Sequence, residues 1–89
     1  MKTHRLTAVQ RLKRLRAFAW SHVLEKVASG APVYYRAPMD ARARRVEAFV
    51  KGKRLRIKPF GYWRRGERPF DPFFANADHI SRISFGEKS

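Results

Sequence analysis

Arg54, Arg56 and Lys58 recur at every second position, and Arg42, Arg44 and Arg45 lead into the alternating apolar series Val46, Ala48 and Val50. Cations spaced by two project from one face of an extended strand, where they can track a phosphate backbone and release its counterions. A second group follows directly: Phe60, Tyr62, Trp63, Phe70, Phe73 and Phe74 are interleaved with Arg64, Arg65 and Arg68. Aromatic faces stack unpaired bases at about 1–3 kcal/mol each, and guanidinium planes add cation–π attraction. The chemistry indicated is polyphosphate binding, with single-stranded or looped nucleic acid favoured by the rings. The competing account of the cations is a solvated sheet face, and that of the phenylalanines a set of buried plugs beside Pro69 and Pro72. Tyr62 and Trp63, polar-tipped and followed by arginines, are the pair expected to touch a ligand. Phe73 and Phe74 are expected to hold the loop down.

The charge of the whole chain agrees with this chemistry. Its 89 residues carry 21 Lys and Arg against 7 Asp and Glu, a formal charge of +14. From Met1 to Leu24 there is no acid, and Arg11 and Arg14 are added to the candidate phosphate contacts. Between Ala41 and Gly66 ten basic residues face Glu47 alone, whereas from Glu67 onward the balance reverses. A small fold repels itself at such a charge, so a polyanion is its natural partner. With 44% apolar and 13% aromatic residues the chain is too hydrophobic for a disordered basic tail.

Other classes find little support. Cysteine is absent, which removes disulfides and thiolate metal sites and suits the cytoplasm. The longest apolar run, Ala17 to Trp20, is far short of a membrane span or a signal-peptide core, so a soluble protein without membrane contact is expected. The acid-free N-terminus has the composition of a transit peptide, but the basic character continues through the middle of the chain. His4, His22 and His79 are scattered, and no P-loop or GxGxxG is present. Asp71, Asp78 and His79 suggest at most a metal-dependent nuclease corner, and Asp78 is more simply a turn or cap residue. No enzyme, cofactor or metal is expected.

The elements that must position these residues are legible in the spacing. Thr7 to Gln10 matches a capping box, and Ser29-Gly30 supplies a stop, so one amphipathic helix is expected over residues 8–28. Val9, Leu12, Ala19, Trp20, Val23, Leu24 and Val27 form its apolar stripe, with Arg16 among them. Phe18 lies almost opposite and is a possible contact for a protein partner or a second copy. Thereafter the period becomes two: strands are expected at Val33-Tyr34-Tyr35, over 46–50 and over 54–58, the latter two joined in a hairpin through Gly52. Tyr34 and Tyr35 should place one ring in the core and one outside. Residues 60–77 suggest a long aromatic loop with a short strand near Tyr62-Trp63. After a turn at Asn76 to His79, Ile80, Ile83 and Phe85 form the last strand.

One domain of α+β class follows, with helix 1–28 covering a small barrel of four or five short strands over 29–89. The final segment, Asp78-His79-Ile80-Ser81-Arg82-Ile83, resembles the last-strand motif of bacterial Sm-like RNA chaperones and of WYL domains. The helix before Val33-Tyr34-Tyr35 resembles the Sm-like order of elements. The resemblance spans Ser29 to Phe85 and implies an SH3-like or Sm-like barrel; it carries over no site residue. Function is expected to be nucleic-acid binding with little base specificity. The alternatives are an inhibitor or adaptor that docks on an acidic protein surface, and a structural role in a ribonucleoprotein.

Overall fold

A computed structural model describes residues 7–64 and 66–86. Helix α1, Ala8–Ala28, starts at a complete capping box: Gln10 N donates to Thr7 Oγ1 at 3.2 Å and Thr7 N donates to Gln10 Oε1 at 3.0 Å. It ends at Ser29, whose amide donates back to Glu25 O, and Gly30 turns the chain at φ +86°. That left-handed conformation is one a side chain would strain.

Five strands form one antiparallel sheet: β1 Val33–Tyr35, β2 Arg44–Lys51, β3 Arg54–Pro59, β4 Phe73–Ala75 and β5 Ile83–Phe85, in the order β4-β3-β2-β1-β5. β2 and β3 are the expected hairpin, turned by Gly52 at φ +62°. β1 is short and pairs with β2 only over Arg44–Val46, while β5 pairs with its other edge, Val33 opposite Phe85 and Tyr35 opposite Ile83. A 3-10 helix, Ala77–Arg82, joins β4 to β5. Asn76 caps it, its side chain accepting from Asp78 N at 2.9 Å while Asn76 N donates to His79 Nδ1 at 3.1 Å.

The core lies between α1 and one face of the sheet. Leu55, Ile57 and Ala75 are fully enclosed, and Trp20, Val23, Val27, Val33, Tyr35, Val46 and Ile83 surround them. Trp20 also donates from Nε1 to Lys53 O at 2.7 Å, which ties the helix to the hairpin turn.

Several expectations are corrected. The sheet does not close into a barrel: β4 and β5 are three residues each and remain its two edges, while the 3-10 helix and α1 cover the core instead. Val9 and Leu12, although in phase with Trp20, are 61% and 60% exposed, and burial along α1 begins only at Ala19, beyond the end of the sheet-covered surface. The Arg16 guanidinium forms an ion pair with Asp78 at 3.1 Å. Tyr62-Trp63 is not a strand, and Ile80 belongs to the 3-10 helix.

Candidate nucleic-acid interface

Strand alternation gives the sheet two unlike faces. On β3, Leu55, Ile57 and Pro59 are buried while Arg54, Arg56 and Lys58 stand on the opposite side. On β2, Val46 and Ala48 turn inward, so Arg45, Glu47, Phe49 and Lys51 share the outer side with those cations. The register sets them in rows: Lys51 faces Arg54, Phe49 faces Arg56 and Arg56 faces Phe74. With strands about 4.8 Å apart, Phe49 and Phe74 flank Arg56 at roughly 10 Å from one another across the sheet.

The rings and cations of this face touch. The Phe74 ring lies 4.6 Å from the Arg54 guanidinium and 4.9 Å from that of Arg56, and Lys58 Nζ lies 5.8 Å from the Phe49 ring. Arg45 sits between Phe60 at 4.9 Å and Tyr34 at 5.9 Å. Gly86 makes room for Tyr34, since a Cβ there would meet Tyr34 Cε2 at 2.8 Å. Phe49, Phe60 and Phe74 remain 49%, 51% and 43% exposed, so each keeps a free surface. Such rings, held beside cations yet open to solvent, can stack bases while the cations meet phosphates.

The residues singled out by spacing divide clearly. Arg45, Arg54, Arg56 and Lys58 come together on the outer face. Arg44 does not join them: it binds Asp40 through two bonds of 2.9 and 3.3 Å, and that hydrogen bond, then the carboxylate charge, raises its pKa. Arg42 is exposed in the loop before β2, and Arg64 in the loop after β3. Tyr62 is almost fully exposed, whereas Trp63 is 40% exposed and anchored by Nε1 donating to Phe60 O at 2.8 Å. Arg65 lies outside the described residues. Arg11 and Arg14 are exposed on α1, whose packed half covers the inner face, so they belong to a different layer from the strip.

Phe73 and Phe74 are not a pair. Phe73 turns inward and packs against Tyr35 at 5.0 Å, Phe70 at 5.8 Å and His79 at 5.4 Å. Phe74, expected to be a plug, is an outer-face ring, because pairing opposite Arg56 fixes its side. Phe49 and Tyr34 are the rings that spacing alone left unused, although the alternation around Val46, Ala48 and Val50 already assigned Phe49 to the outer side. Asp71 and Asp78, imagined as a metal corner, instead pair with Arg68 at 3.2 Å and Arg16 at 3.1 Å.

Among the described residues no helix is long and apolar enough to cross a membrane. Compared with protein-family models, curated proteins and solved structures, the chain matches none, so what the outer face does must be argued from its own geometry.

Proposed function

We propose that this protein is a small nucleic-acid-binding module that uses the outer face of its sheet, binding phosphate through Arg45, Lys51, Arg54, Arg56 and Lys58 and bases through Phe49 and Phe74. The carrying observation is the row Phe74, Arg56, Phe49, which alternates ring and guanidinium across three paired strands. An open sheet face with exposed rings suits unpaired bases, which can lie on it; a duplex hides its base faces in the stack. The activity is binding without catalysis, and a cytoplasmic setting suits a cysteine-free basic chain. The finer fold reading is an SH3-like or Sm-like arrangement of helix and strands with the sheet left open. It is supported by the helix before β1 and by β4 and β5 being the two ends of one continuous antiparallel sheet.

The test is fluorescence anisotropy with single-stranded and duplex DNA and RNA over a salt series. Five phosphate contacts give a log-log slope of about −3.5 on single strands. Single strands are expected to bind more tightly than duplex, and flat, salt-independent titrations with every nucleic acid would remove the proposal.

A second reading, docking on a protein partner through an apolar contact, has its own support in Val9, Leu12, Leu15 and Phe18, which are 60–65% exposed on the first half of α1. Loss of partner binding in Leu12→Asp, with salt-dependent oligonucleotide binding retained, would separate that surface from the sheet.

A further inference from the structure

Glu47 is out of character with its surroundings. It is the acid among the outer-face residues of β2 and β3, half-buried, opposite Lys58 and on the same face as Arg45. Among the described residues no cation lies within ion-pair distance of its carboxylate. On a face meant only for phosphate, such a carboxylate repels the ligand and weakens binding. It lines a cleft of about 230 Å3 together with Lys58, Tyr62, Trp63, Arg68 and Pro72. That volume is below the roughly 300–1,000 Å3 of drug-sized sites and suits one planar group. Trp63 is fixed at its edge by the bond to Phe60 O, which holds the indole in a set orientation at the cleft.

We propose that this cleft is a base-reading pocket selective for guanine, with Glu47 as the reader. The inference rests on the nucleic-acid reading of the outer face. An ionised carboxylate only accepts hydrogen bonds, through two oxygens side by side. Guanine alone among the common bases offers two adjacent donors on its Watson–Crick edge, N1–H and the N2 amino group, which match those oxygens. Adenine and cytosine present one amino donor next to an acceptor nitrogen, and uracil and thymine one N–H between two carbonyls, so each sets a lone pair against the carboxylate. Trp63 supplies a stacking face, and Lys58, opposite Glu47, is the cation beside the cleft for an attached phosphate. Bases splayed from single strands are read in this manner, by stacking and by hydrogen bonds to the edge.

The test uses the full chain and labelled oligouridylate and oligothymidylate of about ten nucleotides, each with one central guanine, hypoxanthine, adenine or no substitution. Guanine is expected to bind about 5- to 160-fold more tightly than the unsubstituted strand, the range of a bidentate base contact. Hypoxanthine, which lacks the N2 amino group, is expected to fall between. Glu47→Gln should lose most of that preference while binding the unsubstituted strands at least as well, with an unchanged melting temperature. Salt-dependent binding without base preference overturns the pocket and leaves the phosphate face standing. Glu47→Gln strengthening all strands equally also overturns it, since the carboxylate would then only repel. Failure of the wild-type chain to bind any strand overturns both the pocket and the face.

Discussion

The two faces of the sheet are built from alternate residues of the same strands and meet opposite demands. The inner face admits only side chains that fit: Leu55, Ile57 and Ala75 have no contact with solvent, and Tyr35 is held among Phe70 and Phe73. The outer face is open, and its residues are constrained by charge and by the pairing of ring with cation rather than by volume. Stability and the proposed binding are therefore divided between alternate positions of one hairpin. A substitution should disturb one property and spare the other according to which side it points.

The largest effect is expected from the inner side. Trp20→Ala removes a buried indole and its bond to Lys53 O, and should cost about 3–5 kcal/mol, enough to unfold much of so small a domain. Chemical denaturation measures it, and a loss below about 1 kcal/mol would mean that the helix is an accessory rather than half of the core. Next comes the cationic strip. Replacing Arg54, Arg56 and Lys58 together with Gln should lower the log-log salt slope on single strands by about two units, three contacts at roughly 0.7 each. The melting temperature should hold or rise as self-repulsion is relieved, and an unaltered slope would place the phosphates elsewhere.

Neighbouring phenylalanines provide the sharpest contrast. Phe74→Ala should weaken single-strand binding by about 1–3 kcal/mol with little change in melting, whereas Phe73→Ala should lower the melting temperature and leave the binding of folded protein intact. Reversal of the two results would invert the assignment of faces at β4. The smallest effect is expected at Leu12→Ala, where exposure keeps the change in stability within about 0.5 kcal/mol. A larger loss would show that the first half of α1 is packed in solution.

Local signals carried much of this architecture. The Thr7–Gln10 box and the Ser29-Gly30 stop bound the helix correctly, and the alternation over 46–58 with Gly52 locates the hairpin and the outward cations. What failed was non-local. Periodicity assigns Val9 and Leu12 to the face of Trp20 but contains no information on where the surface beneath the helix ends. Two adjacent phenylalanines after Pro72 have no intrinsic phase; Ile57 opposite Phe73 and Arg56 opposite Phe74 supply it from another strand. Barrel closure is likewise set by the sheet as a whole: β4 and β5 are joined through the short 3-10 helix Ala77–Arg82, yet the strand order places them at opposite edges. The pocket at Glu47 was hidden for the same reason, since Tyr62, Trp63 and Arg68 reach it only by the path of a loop without periodicity.

Pairing of β1 with β5 brings Val33 opposite Phe85, across almost the whole strand-bearing part of the chain, whereas β2 and β3 meet through a tight turn at Gly52. Contacts of high sequence separation form late and slow folding, while a hairpin can form within microseconds. Residues 44–59 can therefore pair before Ile83–Phe85 docks along β1. A lone hairpin is marginal in water, and any polyanion that prefers the ordered strip adds to its stability by mass action. Under the proposed function, such a polyanion would act as a folding template, holding β2 and β3 in register until Ile83–Phe85 docks along β1.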